Sequence, residues 1–383
     1  MAFTKKKICW VAASPLTVKF FLTGHIQNLA PKYDLTLIGK FDDIHFLDDL
    51  NLPIRIISVG IERNISPLKD LRAFFHLLLI FYREKFDLVH SFTPKSGLLA
   101  IVAAYLASVP IRIHHFQGEV WATKKFLFRF LLKNLDVLLA LCATHLLVVS
   151  PSEREFLQQE NVTSGERLEI LAHGSICGVD TQKFTPNLSF SHEIRSRFNI
   201  SLEDQVILFT GRLTYDKGLM DLVEAFASLE ARFPNLHLLI LGPDENGLSA
   251  IIQKNFAHLK HRIHFNGYTA NPEQFIAASD IFCLPSYREG FGLVLMEAAA
   301  MQVPTIGSRI YGICDAVIDG ETGLLFKPRD VSDLAAKITF LLDNKDFAKQ
   351  LGLKGRERAL KYFKKEVVID AMEQYYENIL QKK

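Results

Sequence analysis

Short apolar runs alternate with longer helical stretches along almost the whole chain, and this alternation constrains the fold more than any other feature of the sequence. Short apolar runs are typical of strands buried on both faces, and a helix between successive runs is typical of a parallel sheet. The alternation continues to about Leu171 and begins again at Val206. The sequence therefore predicts an α/β protein with two doubly wound parallel sheets.

The apolar runs give two sets of predicted strands. The first set is 8–13, 35–38, 54–59, 88–91, 111–116, 146–150 and 168–171, and the second is 206–210, 236–241, 263–265, 281–284, 304–306 and 323–326. Helices are predicted at 18–29, 68–82, 96–106, 218–232, 248–256 and 272–278. The first apolar run follows Lys5, Lys6 and Lys7, so it is either a buried first strand, which we favour, or the apolar part of a secretion signal.

The length of 383 residues and a stretch punctuated by Gly and Pro near the middle predict two domains. We place them at residues 1–172 and 188–364, joined by a linker at 173–187. Open parallel sheets bind ligands at the carboxyl ends of their strands, so two such domains facing a central cleft predict a small-molecule site. Residues 365–383 contain a predicted helix that either crosses back to the N-terminal domain or packs on its own domain.

Composition excludes several classes of protein. Hydrophobic residues make up 49% and charged residues 22%, which indicates a folded globular chain rather than a disordered one. The formal net charge of +2 provides no general attraction for nucleic acid. The five cysteines are scattered and form no C-x-x-C pair, so we expect free thiols in a cytoplasmic protein, with neither a disulfide framework nor a metal site. We also expect no cofactor.

The segment 209–218 places a glycine, an arginine and a lysine at the carboxyl end of a predicted strand. Gly211 and Arg212 follow the strand, and Lys217 lies directly before the next helix. A guanidinium, an ammonium and exposed backbone amides are groups that bind a diphosphate. The segment also fits a surface loop with two solvated cations.

A second segment, 285–297, follows the predicted strand at 281–284. Gly290 and Gly292 allow backbone amides to approach a ligand at a helix N-terminus, which favours an anion. Glu297 lies in an otherwise apolar stretch, where a carboxylate is costly to bury without hydrogen-bond donors. Sugar hydroxyls would supply such donors, and a salt bridge or an exposed helix face is the alternative.

Together the two segments resemble a known family. The pattern Gly-Arg-x4-Lys-Gly at 211–218, with Pro-Ser-x2-Glu-Gly-Phe-Gly-x4-Glu-Ala at 285–298, is similar to the donor site of the retaining family-4 glycosyltransferases, which have the GT-B fold. Residues 178–180, 279–280 and 320–325 also resemble that family. The resemblance is strong from about residue 174 to residue 335 and weaker in the N-terminal half.

The resemblance implies roles for these residues. Arg212 and Lys217 would neutralise the charge of the nucleotide diphosphate as it leaves. Glu289 would contact the donor sugar, and Glu297 would bind the ribose hydroxyls. The remaining implied donor contacts are Gly211, Tyr268 near the base, and the backbone of Gly290, Phe291, Gly292 and Leu293. No D-x-D triplet occurs in the chain, in agreement with a family that uses cationic side chains in place of a metal.

Residues 114–125 resemble a segment found in the subgroup that builds bacterial surface polysaccharides and glycans on lipid carriers. The resemblance implies that the N-terminal domain binds the acceptor, with Thr17 and Gln117 as candidate contacts and His114 as a candidate catalytic residue. Many family members carry a histidine at the position of Gln117. His114 could therefore be a structural hydrogen bonder instead.

The activity implied is transfer of a hexose or an N-acetylhexosamine from a nucleotide sugar, a UDP-sugar in the first place, to a lipid-linked saccharide. Transfer would occur with retention, by front-side displacement. Two alternatives stay open at this point: a UDP-sugar 2-epimerase of the same architecture, and a non-catalytic scaffold of that fold.

Residues 55–133 combine an excess of Lys and Arg with many apolar side chains, notably at 71–82 and in the predicted helix at 126–141. This combination predicts peripheral contact with an anionic membrane, at the inner face of the cytoplasmic membrane. The same stretches also fit buried helices with solvated basic residues. Charged residues interrupt the apolar stretch at 126–149, which argues against a membrane-spanning helix.

Overall fold

The computed structural model of the chain describes residues 5–62 and 64–381. Residues 1–4, Arg63 and residues 382–383 lie outside that description, and with them the first residues of the predicted N-terminal domain, one residue of the basic stretch at 55–133 and the last two residues of the predicted C-terminal segment. The chain divides into two compact units. The first contains the residues up to Cys177 together with those from Lys365 onward, and the second is Gly178–Lys364.

The first unit is built on one parallel sheet. Its strands are β1 (Lys7–Val11), β2 (Asp34–Gly39), β3 (Ile54–Ser58), β4 (Leu88–Ser91), β5 (Ile111–Phe116), β6 (His145–Val148) and β7 (Leu168–Ile170). Their order across the sheet is β3-β2-β1-β4-β5-β6-β7, and each adjacent pair is parallel. The chain starts in the middle at β1 and reverses its direction of winding before β4, which makes the sheet doubly wound.

Helices cover this sheet. They are α1 (Pro15–Thr17), α2 (Thr23–Leu29), α3 (Pro67–Glu84), α4 (Pro94–Leu106), α5 (Phe126–Cys142) and α6 (Pro151–Gln159). A proline at the first position starts α3, α4 and α6, where a missing amide hydrogen costs nothing. The predicted helix at 18–29 is interrupted, because a π-helical turn at Val18–Leu22 separates α1 from α2.

The second unit repeats the design. Its strands are β8 (Gln205–Thr210), β9 (Leu236–Leu241), β10 (Ile263–Gly267), β11 (Ile281–Leu284), β12 (Thr305–Ser308) and β13 (Leu324–Phe326), in the order β10-β9-β8-β11-β12-β13. Its helices are α7 (Leu188–Arg197), α8 (Leu219–Ser228), α9 (Leu248–Asn255), α10 (Pro272–Ala277), α11 (Leu293–Ala300), α12 (Ile313–Ala316), α13 (Val331–Asp343) and α14 (Lys345–Tyr362). Strands β8 and β11 are adjacent, so their carboxyl ends meet at the point where the winding reverses.

The last helix, α15 (Lys365–Gln381), packs on α2 of the first unit. Gly24 permits this contact, because a Cβ there would lie 2.8 Å from Cδ1 of Ile369. Tyr376 of α15 is fully buried, and its hydroxyl lies 2.9 Å from Nε1 of Trp10 and 2.5 Å from Nδ1 of His90. The helix is therefore part of the core of the first unit.

Helix α5 is only partly buried, so the interpretation of residues 126–141 as a buried helix is wrong for its N-terminal half. Its buried residues, Asp136, Leu139, Ala140 and Cys142, all lie in the C-terminal half. The large apolar side chains at its N-terminal end are exposed, with Phe126 at 90%. In the described part of the chain, no helix combines the length and the apolar character needed to cross a bilayer.

Candidate active site

The loops after β8 and β11 meet at the carboxyl edge of the second sheet and bring the two sequence segments together. Gly218, with a φ of +67°, precedes α8, and a Cβ on it would lie 2.0 Å from the carbonyl oxygen of Pro285. The amide of Tyr287 donates a hydrogen bond to the carbonyl of Asp216 at 2.8 Å. Any side chain at position 218 would push the loops apart, so the contact depends on glycine.

Lys217 and Glu289 are in direct contact across these loops. Nζ of Lys217 lies 2.5 Å from Oε1 of Glu289, and the hydroxyl of Ser286 donates to the same oxygen at 2.8 Å. The two charged side chains are only 17% and 15% exposed, so water screens their attraction weakly. A cation suited to a phosphate therefore touches a carboxylate suited to a sugar hydroxyl.

Arg212 lies beside the loop that follows β9. Its Nη1 is 2.9 Å from Oε2 of Glu245, which is in that loop. The two loops pack closely because Gly242, at a φ of +136°, has no side chain: a Cβ there would lie 1.8 Å from the carbonyl oxygen of Gly211. Arg212 thus has a carboxylate partner that the sequence segments did not indicate.

Asp216 links the cations of the site. Its carboxylate accepts a hydrogen bond from Thr214 at 2.5 Å and lies 3.3 Å from Nη2 of Arg288. Burial alone would raise the pKa of Asp216, but the hydrogen bond from Thr214 and the charges of Arg288, Lys217 and Arg212 outweigh it and lower the pKa. Asp216 is therefore a carboxylate anion that shares the field of three cations.

The N-terminus of α11 presents free backbone amides next to this cluster. Gly292, with a φ of +71°, precedes the helix, and Leu293 is its first residue, whose amide has no acceptor within the helix. The amides of Phe291 and Gly292 also donate no hydrogen bond within the described residues. The ring of Phe291 packs on Phe363 with centroids 5.0 Å apart, which fixes the loop. This end of the helix can therefore receive an anion.

Glu297 lies one turn further along α11 and is partly buried. Its carboxyl group accepts no hydrogen bond from any residue that the structure describes. Burial raises the pKa of Glu297 to about 8; the charge of Lys183 acts in the opposite direction, and that of Glu273 in the same direction. Lys183 itself donates to the carbonyl of Ala270 at 2.8 Å and lies 3.4 Å from Oε2 of Glu273. Glu297 is thus a carboxyl group with unused hydrogen-bonding capacity.

Tyr268 follows β10, and its side chain is exposed. Gly267, with a φ of +74°, turns the chain at this point. The carbonyl of Gly267 accepts a hydrogen bond from the amide of Gly242 at 2.9 Å, which ties the loop after β10 to the loop after β9. The second unit therefore gathers Arg212, Lys217, Glu289 and Tyr268 on loops that are connected to one another.

His114 lies in β5 of the first unit, and its side chain is buried. Its Nδ1 is 2.8 Å from the hydroxyl of Ser91 on β4, and a Cβ on Gly97 would lie 2.5 Å from its Cε1. Burial lowers the pKa of His114 to about 3, so the ring is neutral at ordinary pH. The structure places His114 among packed side chains as a hydrogen bonder of the sheet.

The two candidate acceptor contacts lie after strands of the same sheet. Nε2 of Gln117, after β5, donates to the carbonyl of Phe92 at 2.6 Å. The hydroxyl of Thr17, in α1 after β1, lies 3.1 Å from that of Ser14, the residue that caps α1. Both side chains are partly buried, and no hydrogen bond joins them to each other within the described residues.

Comparison with known sequences matches each half of the chain to a glycosyltransferase domain. Residues 42–174 match a glycosyl transferase 4-like domain, and residues 190–358 match the glycosyl transferases group 1 family. The chain is a glycosyltransferase. The second match includes the candidate site residues from Arg212 to Glu297.

This glycosyltransferase is 27% identical over 362 residues to the capsular polysaccharide biosynthesis glycosyltransferase CapM of Staphylococcus aureus, with 88% of this chain and 93% of CapM covered. It is 28% identical over 320 residues to the UDP-Gal:alpha-D-GlcNAc-diphosphoundecaprenol alpha-1,3-galactosyltransferase of Escherichia coli, covering 82% and 81% of the two chains. These names favour a glycosyltransferase over the epimerase and scaffold alternatives.

The fold of the glycosyltransferase is also found among solved structures. Anabaena HepE in complex with UDP superposes with a TM-score of 0.79 at 18% identity, covering 97% of this chain and 100% of HepE. The predicted GT-B fold, with its two parallel-sheet units, is confirmed.

Four charged residues around the candidate site were not predicted from the sequence: Lys183, Asp216, Glu245 and Arg288. Each of them contacts a residue that is distant in the sequence; Arg212 and Glu245, for example, are separated by 33 positions. Asp216 and Arg288 lie inside the two segments 209–218 and 285–297. Considering every charged residue of those segments would therefore have identified both as candidates. Among the described residues, no group of three or more His, Cys, Asp or Glu side chains is arranged to hold a metal ion.

Proposed function

We propose that this glycosyltransferase transfers a sugar from a UDP-sugar to a lipid-linked saccharide, with retention of configuration at the anomeric carbon. The second unit binds the donor, and the first unit binds the acceptor through the edge that carries Thr17 and Gln117. The observation that carries the proposal is the contact between Lys217 and Glu289 beside the free amides of Phe291 and Gly292.

The arrangement supports departure of a nucleoside diphosphate. Arg212 and Lys217 offset the negative charge that develops as the bond between the sugar and the diphosphate breaks, and the amides at the start of α11 add fixed dipoles. Glu289 positions the sugar, and Glu297 accepts hydrogen bonds from the ribose hydroxyls. The acceptor oxygen bonds to the anomeric carbon on the face that the diphosphate leaves, and its proton passes to a diphosphate oxygen. His114, buried and neutral, takes no part in this scheme.

The Escherichia coli relative supports the choice of donor and acceptor class. Its name specifies UDP-Gal, a diphosphoundecaprenol-linked acceptor and an α-1,3 product. UDP-galactose carries galactose in an α linkage, so an α product from it corresponds to retention. Which sugar this glycosyltransferase transfers, and to which hydroxyl of the acceptor, depends on the shape of its donor and acceptor sites.

Nucleotide binding tests the donor site. Thermal unfolding is measured with UDP, GDP, ADP and TDP for the wild type, for Arg212→Ala and Glu297→Ala, and for the control Glu193→Ala on the exposed face of α7. We expect UDP to raise the Tm of the wild type and the control most, since a ligand of the native state stabilises it, and to raise the Tm of the two site variants less. A folded wild type that responds to none of the four nucleotides would contradict the proposed donor site.

Product analysis tests the stereochemistry. The protein is incubated with UDP-galactose or UDP-N-acetylglucosamine and a short-chain diphospholipid saccharide, and the anomeric coupling constant of the new linkage is measured by NMR. An α linkage is expected from these α-linked donors. A β linkage would rule out retention.

A second part of the proposal is peripheral contact of the first unit with an anionic membrane. Five exposed apolar residues lie at the start of α5: Phe126, Leu127, Phe128, Phe130 and Leu131. Lys124 and Lys125, directly before them, are exposed as well. Helix α3, which packs on α4 as α5 does, also exposes apolar side chains, at Leu68, Leu71, Phe75, Leu79 and Tyr82. Cations beside exposed apolar groups favour the headgroup region of an anionic bilayer.

Flotation with phosphatidylglycerol vesicles tests the membrane contact. The wild type is compared with Lys124→Glu/Lys125→Glu and with a control of equal charge change on the second unit, Lys254→Glu/Lys260→Glu. The wild type and the control should float with the vesicles, while the Lys124/Lys125 variant should remain in the dense fraction. Failure of the wild type to float, or equal flotation of all three proteins, would contradict membrane contact through α5.

A further inference from the structure

Each cation of the proposed diphosphate site is paired with a carboxylate of the protein. Its three cations are Arg212, Lys217 and Arg288, and each is paired with a carboxylate, of Glu245, Glu289 and Asp216 respectively. A diphosphate approaching such a neutral cluster gains little from its charge unless one of the carboxylates withdraws.

The three ion pairs differ in their exposure to water. Lys217 and Glu289 are 17% and 15% exposed, and Arg288 and Asp216 are 17% and 28% exposed. Glu245 is the most exposed of the three carboxylates, at 30%, and its partner Arg212 is 37% exposed. An ion pair with this exposure contributes little to stability, because water screens it. The Glu245–Arg212 pair is therefore the one that a ligand opens most easily.

The loop that carries Glu245 is held in place by other residues. The carboxylate of Asp244 accepts hydrogen bonds from the amides of Leu248 and Ser249, both at 2.9 Å, and from the hydroxyl of Ser249 at 2.6 Å. The amide of Leu213 donates to the carbonyl of Pro243 at 2.9 Å. Removing the charge of Glu245 therefore leaves the loop and the start of α9 anchored.

We infer that Glu245 is an exchangeable counter-ion of Arg212, which competes with the nucleoside diphosphate for the guanidinium group. Glu245 pairs with Arg212 when no diphosphate is bound, releases it when the diphosphate binds, and pairs with it again as the product leaves. The residue thereby limits affinity for the nucleotide and promotes its release. This inference rests on the proposed function, since it requires a diphosphate at Arg212.

Calorimetric titration with UDP and with uridine tests the inference, using the wild type, Glu245→Gln, Glu245→Ala and the exposed control Glu193→Gln. Both Glu245 variants should bind UDP about 2- to 5-fold more tightly than the wild type, the factor expected when a competing exposed ion pair is lost. Glu193→Gln should bind UDP as the wild type does. Uridine, which has no phosphate, should bind all four proteins alike.

A comparison of single and double variants tests whether Glu245 acts on UDP binding through the guanidinium group of Arg212. Arg212→Ala and Arg212→Ala/Glu245→Gln should bind UDP equally weakly, because the competition acts through the guanidinium. Weaker or unchanged UDP binding by both Glu245 variants would overturn the inference while leaving the proposed function intact. A tightening that persists without Arg212 would also overturn it. A wild type that binds no nucleoside diphosphate would instead refute the proposed function, and this inference with it.

Discussion

Lys217 and Glu289 are 72 positions apart in the sequence, yet their charged groups are 2.5 Å apart in the fold. Each residue therefore sets the environment of the other, and replacing either one leaves a poorly solvated charge behind. The effect of replacing a single residue of this site can be measured on the rate of sugar transfer and, separately, on the stability of the fold.

Lys217→Ala should lower kcat for sugar transfer by a factor on the order of 100 or more, because a positioned charge that stabilises the leaving diphosphate is lost. The rate of UDP release with saturating donor and acceptor measures the effect. Lys254→Ala, which removes an exposed lysine of α9, should keep the wild-type rate. Near-normal turnover of Lys217→Ala would remove this residue from the active site.

Glu297→Gln should make the ligand-free protein more stable than the wild type at pH 8.5, and the difference should be smaller at pH 6. The pKa of Glu297 is about 8 in the fold, against an ordinary value of 4.5. Between these two values only the unfolded chain loses the proton, so this group's contribution to the stability of the wild type falls as the pH rises. Thermal unfolding of both proteins at the two pH values measures the difference, and a constant difference would contradict the raised pKa.

At the scale of elements, strands were far more predictable than helices. Each predicted strand is present with its ends displaced by no more than two residues, because each run is apolar on both faces and bounded by polar or turn residues. Helices α6, α7, α12, α13 and α14 were not predicted. Three of these five helices, α6, α7 and α14, have a negative mean hydropathy, so they lack a continuous apolar pattern. Local motifs were enough to predict that the segments 209–218 and 285–297 would lie at the ends of strands, which are adjacent in the sheet, whereas the motifs gave no sign of the ion pairs that Arg212 and Lys217 form there.

Strands β4 and β5 carry buried histidines that should make the first unit sensitive to acid. Burial lowers the pKa of His114 and of His115 to about 3, and it also lowers the pKa of His90 on β4. In the unfolded chain these rings take up protons near pH 6.5, whereas in the fold they stay neutral, so their contribution to stability is complete above pH 6.5 and is lost as the pH falls. At pH 5 the loss should be about 2 kcal/mol for each of His114 and His115.

Thermal unfolding between pH 7.5 and pH 5 measures this sensitivity. Neither ring nitrogen of His115 has a hydrogen-bond partner among the described residues, so His115→Phe removes a titrating group without breaking a bond. The variant should lose less stability than the wild type on acidification. His76→Phe, at an exposed position of α3, should follow the wild type. Identical pH dependence of all three proteins would contradict a destabilising role for the neutral ring.

At the scale of the whole molecule, the first unit is assembled from two separate stretches of the chain. Tyr376 secures the second stretch, because its hydroxyl satisfies both Trp10 and His90 in the core. Tyr376→Phe should destabilise the first unit by about 1 to 3 kcal/mol, the cost of leaving buried polar groups unpaired. Chemical denaturation followed by tryptophan fluorescence measures the change. Tyr375→Phe, which removes the bond of a less buried hydroxyl to Glu169, is the matched comparison and should cost less.

The return of α15 to the first unit has a consequence for synthesis on the ribosome. Gly178–Lys364 is contiguous, so the second unit can complete its core as soon as that stretch has emerged. The first unit begins earlier but cannot bury Trp10 and His90 against Tyr376 until α15 has been synthesised. The unit whose strands are made first therefore completes its core only after the whole of the second unit has been translated.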